Sequence, residues 1–178
     1  MKDLNVLFAG FGGQGILFAG KVAAYVGLLM NKEISWLPSY GPEMRGGTAN
    51  CTVCISDEEI GAPNVPNPNV FVVMNLPSFD KFIADVESGG TVVIDSSLID
   101  KKVERDDLNV FYVPASEIAE KNNISGLANI VLVGKLFHEM KFASMEMLDK
   151  AIEYCVPKSK EKMLDMNKQA ARLGACFA

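Results

Sequence analysis

Residues 4–30 read LNVLFAGFGGQGILFAGKVAAYVGLLM, and this stretch decides the fold class. Residues 4–9 form a short apolar run followed by glycine, which is typical of a buried β-strand. Residues 13–30 then place small and apolar side chains along one side of a predicted helix. A glycine-rich turn therefore joins a strand to a helix, which predicts the first βα unit of an α/β sheet.

The same alternation continues along the chain. Further strands are predicted at residues 33–38, 48–56, 70–75, 91–95 and 110–113, and helices at residues 76–87, 114–121, 126–140, 144–154 and 158–173. Several strands are continuously apolar, as expected when both faces of a sheet are covered. The strand at 48–56 follows its predecessor without an intervening helix, so it is free to run antiparallel. We therefore predict a single domain over residues 1–178: a three-layer open α/β sheet, mostly parallel or mixed, with helices on both faces.

The composition excludes several classes of protein. Hydrophobic residues make up 49% of the chain and charged residues 22%, which is a globular composition. The net charge of -5 and the absence of a basic run argue against a nucleic-acid partner, because phosphate contacts need clustered Lys and Arg. No apolar run approaches the roughly 20 residues of a membrane span, and the N-terminal residues lack a signal-peptide pattern. We expect a cytoplasmic protein without a membrane partner.

The four cysteines include a C-x-x-C pair, Cys51 and Cys54, which raises the possibility of a metal site. Both lie in the strand predicted at 48–56, where residues three apart point to opposite faces and cannot easily share a metal. Cys155 and Cys176 lie far away without ligand spacing. We expect reduced, buried thiols and no metal.

The glycine turn is the strongest local motif, since Gly10, Gly12 and Gly15 fit G-x-G-x-x-G. Glycine allows a tight turn and lets an anion approach N–H groups at a helix N-terminus. A dinucleotide site would also need an acid at the end of the second strand. Glu33 lies at the start of that strand, which ends in Leu37-Pro38-Ser39. A dinucleotide site, a purely structural turn and a loop facing a ligand or partner all remain open, and the last is favoured.

A second loop, residues 39–47, reads SYGPEMRGG and follows the second strand. If the first two strands are parallel, both loops lie at the carboxyl edge of the sheet, where open α/β sheets bind ligands. The loop offers the aromatic Tyr40, the acid Glu43 and the cation Arg45. The alternative is a surface turn with an internal Glu43–Arg45 ion pair, which contributes little to stability if exposed.

Together these loops resemble a known family. G-x-G-G-Q-G after the first strand, and S-Y-G-P-E-M-R-G-G leading into T-A-N-C-T-V, resemble the gamma subunits of 2-oxoacid:ferredoxin oxidoreductases of the 2-oxoglutarate or 2-ketoisovalerate type. Residues 125–134, SGLANIVLVG, are similar to the family's asparagine-containing helix, and the resemblance spans residues 4–171. The same domain is fused into single-chain pyruvate:ferredoxin oxidoreductases and occurs in the smaller subunit of indolepyruvate oxidoreductases.

The resemblance implies a complex that oxidatively decarboxylates a 2-oxoacid, transfers the acyl group to coenzyme A and passes electrons to ferredoxin. It places thiamine diphosphate and Mg between alpha- and beta-type subunits, and Fe–S clusters in beta- and delta-type subunits. The gamma domain packs beside the active site, binds no cofactor tightly and is implicated in coenzyme A access. The expected partners are alpha-, beta- and delta-type subunits, with ferredoxin reached through the complex.

The sequence agrees with the expectation that the other subunits carry the cofactors. It shows no cysteine array for a cluster and no thiamine-diphosphate motif. His138 is the only histidine and falls in an apolar helix, where packing or a surface edge is the expected role. We predict no catalytic residue and an inactive isolated chain.

The site hypothesis assigns two walls to a cleft completed by other subunits. The glycine turn presents helix N-terminal N–H groups to coenzyme A phosphates or an acidic partner segment, and the second loop contacts the alpha- or beta-type subunit. The candidate residues are Gly10, Gly12, Gly13, Gln14, Gly15, Ser39, Tyr40, Gly41, Pro42, Glu43, Met44, Arg45, Gly46 and Asn129. A stand-alone nucleotide-binding domain and a non-catalytic docking scaffold are the rival interpretations.

Overall fold

The computed structural model describes residues 3–39 and 48–177. Within these ranges the strands are β1 (Leu4–Phe11), β2 (Glu33–Ser39), β3 (Thr48–Ser56), β4 (Val70–Val73), β5 (Thr91–Asp95) and β6 (Asn109–Val113). The α-helices are α1 (Ile16–Leu29), α2 (Leu76–Phe82), α3 (Ala115–Lys121), α4 (Ala128–Met140), α5 (Met145–Cys155) and α6 (Leu164–Cys176). Short 3-10 segments occupy Ile83–Asp85 and Lys158–Met163.

The strands form one mixed sheet in the order β2-β3-β1-β4-β5-β6. β1, β4, β5 and β6 are parallel, whereas β3 runs antiparallel to both β1 and β2. The expected mixed sheet with an antiparallel strand at 48–56 is confirmed. Because β1 and β2 both oppose β3, they run in the same direction and end at the same edge.

Alternate strand residues enter two separate cores. Val6, Phe8 and Val72 face the larger cluster, which they form with α1, α4, α5 and α6. Leu7 and Phe71 face the smaller cluster on the other side of the sheet, which α2 helps to cover. This period-2 division is what a sheet buried on both faces requires, and it confirms the three-layer architecture.

The closest helix packing is between α4 and α6. α4 buries every residue from Ala128 to Phe137. A methyl group placed on Gly174 would overlap the carbonyl of Val131, lying 2.7 Å from its carbon, and one on Gly134 would lie 2.7 Å from the carbonyl carbon of Ala171. The two helices therefore touch backbone to backbone at these glycines.

Several predicted boundaries shift for local reasons. The helix predicted at 13–30 begins at Ile16, because Gly13 and Gly15 adopt positive φ values of 95° and 75°. Asn75, predicted as a strand residue, is the N-cap of α2, and its Oδ1 accepts from Ser78 N at 2.9 Å. Ser144 caps α5 as predicted, accepting from Met147 N at 3.2 Å.

The ends of two helices differ from prediction in a similar way. The helix predicted at 76–87 is α-helical only to Phe82 and continues as the 3-10 turn Ile83–Asp85. The helix predicted at 158–173 starts as the 3-10 segment Lys158–Met163, and α6 then extends to Cys176. Terminal turns often tighten in this way, because the last groups of a helix lack i→i+4 partners.

The cysteine prediction holds for three of the four residues. Cys51, Cys54 and Cys155 are buried, whereas Cys176 is exposed, so the expectation of burial was wrong there. The described residues contain no group of three or more His, Cys, Asp or Glu that could hold a metal ion. Burial raises the pKa of Cys51 to about 12 and that of Cys155 to about 11.

These raised pKa values predict selective thiol chemistry. At neutral to mildly alkaline pH only Cys176 of the native protein should react quickly with a disulfide reagent, because the thiolate is the reactive form. Under denaturing conditions all four thiols should react. The Cys176→Ser variant is the control and should show no fast native phase. A fast phase in that variant would contradict the burial of the other three.

No helix in the part of the chain that the structure describes has the length and apolarity needed to cross a membrane.

Candidate functional site

The glycine turn lies where β1 passes into α1. Gly10 and Phe11 are the last residues of β1, Gly12 and Gly13 form the turn, and Gly15 is the N-cap of α1 in a left-handed conformation. No side chain caps this helix. The first helical N–H group therefore belongs to Ile16, so the helix N-terminus lies three residues later than the sequence predicted.

Gln14 holds the turn closed. Its Oε1 accepts from Phe11 N at 2.6 Å, and its Nε2 donates to the carbonyl of Met74 at 3.0 Å. Its backbone N–H donates to the carbonyl of Phe11 at 3.2 Å. A methyl group on Gly10 would lie 2.7 Å from Gln14 Oε1, which explains the glycine there. The polar groups of Gln14 thus bond within the chain and tie the turn to the end of β4.

Asn129 supports the turn from α4. Its Nδ2 donates to the carbonyl of Gly15 at 2.9 Å, and the side chain is only 3% exposed. A methyl group on Gly15 would lie 2.5 Å from the same Nδ2. Asn129 Oδ1 is buried without a hydrogen-bond partner. The structure therefore brings two distant sequence motifs, the glycine turn and the asparagine-containing helix, into direct contact.

The second loop is framed by residues at the same sheet edge. Ser39, the last residue of β2, pairs with Asn50, and Thr48, the first residue of β3, pairs with Phe11 beside the glycine turn. The other candidate residues of this loop lie outside the described residues: Tyr40, Gly41, Pro42, Glu43, Met44, Arg45 and Gly46. The described ends place the entry and exit of the loop at the edge that carries the glycine turn.

Two further polar residues end strands at this edge, and sequence reasoning missed them. Asn75 follows β4 and is 2% exposed, and Asp95 ends β5 fully buried. The Asp95 carboxylate accepts from Ser116 Oγ at 2.6 Å and from the backbone N–H of Ser97 at 3.1 Å. Both residues could have been found in the sequence, because each is a polar residue at the end of an apolar run. Both side chains cap neighbouring segments.

The topology weighs against a classical dinucleotide site. That site needs the second strand beside the first, with an acid at its carboxyl end. Here the antiparallel β3 separates β1 from β2, and β2 ends in Ser39 while Glu33 begins it. The ribose-binding part of the dinucleotide motif thus has no counterpart among the described residues.

Among the described residues, the polar side chains in contact with the glycine turn suit positioning rather than proton transfer. The side chains around the glycine turn are the neutral amides of Gln14 and Asn129, which have no ionisable proton near neutral pH. His138 is exposed and lies nine residues beyond Asn129 on α4, roughly 14 Å along the helix axis at 1.5 Å per residue. The histidine is therefore far from the glycine turn.

A separate cavity of about 390 Å³ lies near the start of β1, at the opposite edge of the sheet. Its lining includes the carboxylates of Asp3, Glu58 and Glu59. Open α/β sheets bind ligands at the carboxyl ends of their strands, so the candidate site stays at the glycine turn.

Comparison with known proteins shows one family. The family model for pyruvate ferredoxin/flavodoxin oxidoreductase matches residues 5–176. The ketoisovalerate oxidoreductase subunit VorA of Methanothermobacter marburgensis is 36% identical over 178 residues, covering 99% of this chain and 37% of VorA. This chain thus spans little more than a third of that relative.

Two other relatives match along most of their length. The 2-oxoglutarate synthase subunit KorC of Methanocaldococcus jannaschii is 38% identical over 161 residues, which cover 89% of this chain and 86% of KorC. The crystal structure of a keto/oxoacid ferredoxin oxidoreductase gamma subunit from Geobacter sulfurreducens superposes with a TM-score of 0.82 at 28% identity, covering 97% of this chain and 96% of that one.

Proposed function

Because the chain belongs to the pyruvate ferredoxin/flavodoxin oxidoreductase family, we propose that it is the gamma-type subunit of a cytoplasmic 2-oxoacid:ferredoxin oxidoreductase. The observation that carries this proposal is the match to KorC, which covers 86% of that subunit at 38% identity. In VorA the corresponding residues are only part of a longer chain. The proposed unit thus corresponds to most of a subunit in KorC and to a segment of a longer chain in VorA.

The proposed substrate is 2-oxoglutarate or 2-ketoisovalerate. A relative named for each substrate matches this chain at similar identity, 38% for KorC and 36% for VorA. Substrate selection is assigned to the alpha- and beta-type subunits. These partners also carry thiamine diphosphate, Mg and the Fe–S clusters in this proposal.

The role proposed for this chain is assembly and coenzyme A access. The glycine turn supports this role, because the N-terminus of α1 has no side-chain cap and lies at the sheet edge where ligands usually bind. The edge strand β2 supports partner contact, since Trp36 and Leu37 are 40% and 43% exposed there. Exposed apolar groups on an edge strand are typical of an interface.

Reconstitution tests this function directly. The chain would be co-expressed with the alpha-, beta- and delta-type chains of its own organism, and ferredoxin reduction measured with 2-oxoglutarate or 2-ketoisovalerate plus coenzyme A. We expect activity only when this chain is present. Full activity of the other three chains without it, or failure to co-purify with them, would exclude the proposed role.

Arg45 offers a sharper test of the second loop. In Arg45→Ala, loss of a bidentate contact of about 1.5 kcal/mol or more should lower complex yield or raise the coenzyme A KM about tenfold. Arg172→Ala is the matched control, because Arg172 pairs with Asp149 inside this chain. Equal yield and equal coenzyme A kinetics in the two variants would refute the role of Arg45.

A docking scaffold without coenzyme A contact is the second candidate. The observation favouring it is that the polar groups of Gln14 already form hydrogen bonds with Phe11 and Met74 of this chain. It predicts normal coenzyme A kinetics in every glycine-turn variant that still assembles.

The other rival interpretation is a stand-alone nucleotide-binding domain. Calorimetry of the isolated chain with NAD, ADP and coenzyme A tests it, because this interpretation requires tight binding to NAD.

A further inference from the structure

A cavity of about 360 Å³ lies on the α1–α4 side of the glycine turn. It is bounded by the first turns of α1, the start of α4 and the connection between α5 and α6. This volume is within the range of small-molecule sites, which begins at about 300 Å³.

Most of the cavity wall is apolar. The apolar side chains of the lining are Phe18, Leu127, Cys155, Val156, Pro157 and Met163. Phe18, Val156 and Met163 pack against the larger core cluster and are nevertheless only partly buried. Apolar surface is therefore available at the cavity to cover an apolar ligand.

The two amides in the lining add little polar surface to the cavity. Asn129 and Asn167 are 3% and 2% exposed, and their Oδ1 atoms are shielded from solvent. Their Nδ2 atoms donate to the carbonyls of Gly15 and Met163. Asp, Glu, Ser, Thr and Tyr are absent from the described residues of the lining. A ligand with polar groups along its whole length, such as a nucleotide or a sugar, would leave many of them unpaired here.

Two lysines supply positive charge at the same cavity. Lys160 is exposed and Lys21 is partly buried, and both line it. None of the ion pairs found between described residues involves either lysine. Lys21 Nζ lies 5.6 Å from the ring centroid of Tyr25, a contact that does not neutralise its charge. Burial raises the pKa of the Cys155 thiol to about 11, and the charge of Lys21 opposes that rise, so this charge acts at the cavity wall.

We propose that this cavity binds a medium-chain fatty acid, with its carboxylate at Lys21 and Lys160 and its alkyl chain against the apolar wall. A fatty acid is charged at one end and apolar elsewhere, and the lining offers cations and apolar surface with little other polar surface. An alcohol of the same length has no anion for the lysines. A bound ligand would contact α1, α4 and the α5–α6 connection together. This inference goes beyond the proposed function and does not depend on it.

Calorimetry on the full chain without partners tests the ligand class. Octanoate and decanoate are the probes, used below the concentrations at which they form micelles. Octanol lacks the anion, octylamine carries the opposite charge, acetate lacks the chain, and AMP and coenzyme A carry phosphates on a polar framework. We expect octanoate or decanoate to bind saturably and about tenfold more tightly than each of these five compounds. No saturable binding of either fatty acid at millimolar concentration, or equal or tighter binding of any comparison compound, would overturn the proposal.

Two charge reversals in one segment test the location. Lys160→Glu puts a carboxylate beside that of the ligand and should weaken decanoate binding about tenfold. Lys158→Glu is the matched control, because Lys158 is an exposed lysine of the same 3-10 segment and lies outside the lining. The two variants have the same net charge. Circular dichroism checks that both are folded, and Lys160→Ala and Lys158→Ala replace them if either is not. Equal affinity in the Lys160 and Lys158 variants would refute this location.

Discussion

Gly174→Ala is expected to lower the free energy of unfolding by about 3 kcal/mol, because overpacking against a rigid neighbour is strongly destabilising. The added methyl would overlap the carbonyl of Val131 and lie 3.0 Å from the backbone N of Lys135. Backbone atoms cannot rotate away as a flexible side chain can, so α4 and α6 must separate. For a chain of this size the melting temperature should fall by roughly 6–12 °C.

The control for this variant is Gly61→Ala. A methyl on Gly61 would meet nothing within 4 Å, and this glycine does not need a positive φ. Its replacement should change stability by less than about 1 kcal/mol, in either direction. Thermal and urea unfolding of both variants provide the measurement. Similar melting temperatures for the two would show that the α4–α6 contact is looser than described.

Gly15→Ala is expected to lower the free energy of unfolding by about 2–3 kcal/mol, which is the sum of two effects. Alanine must adopt the φ of 75° that glycine holds here, and its methyl would lie 2.5 Å from Asn129 Nδ2. The Asn129 amide would have to move and lose its hydrogen bond to the Gly15 carbonyl. Since this bond joins α4 to the glycine turn, formation of the proposed complex should weaken in parallel with stability.

Gly13→Ala separates the two effects. Gly13 has a φ of 95°, yet a methyl there would meet nothing within 4 Å. It should therefore show only the conformational cost of about 1 kcal/mol. The Asn129→Ala variant lacks the contact between residue 129 and Gly15. In that variant, adding Gly15→Ala should lower the free energy of unfolding by little more than Gly13→Ala does. A double-mutant cycle measures this coupling between positions 15 and 129. Additive effects of Gly15→Ala and Asn129→Ala would contradict the contact.

Much of the sheet could be predicted from local pattern. β3 was predicted with the bounds Thr48–Ser56, because a run rich in Thr, Val, Cys and Ile is bounded by turn residues. The short connection before β3 allowed an antiparallel direction, which the structure shows. Strand order was not predictable, because the pairing of β1 with β3 and β4 depends on contacts between residues distant in sequence.

Residues of the candidate site could be named from the sequence, but the contact between the glycine turn and Asn129 could not be predicted. The glycine turn and Asn129 were singled out separately, yet their hydrogen bond joins positions 114 residues apart, and no local signal encodes it. The role of Gln14 also differs from expectation, since it bridges Phe11 and Met74 within the chain. A glutamine between glycines suggests an exposed polar group. Only the position of β4 beside β1 supplies the carbonyl that engages it.

The backbone contact between α4 and α6 also has a consequence for the order of synthesis. α4 buries nearly its whole circumference, and Ala171 and Gly174 of α6 cover part of it. A nascent chain that has emerged only as far as α5 leaves that part of α4 uncovered. Folding therefore cannot finish until α6 has left the ribosome, and until then the apolar flank of α4 is open to chaperones. The proposed partner subunits would therefore meet a finished surface only after α6 has been translated.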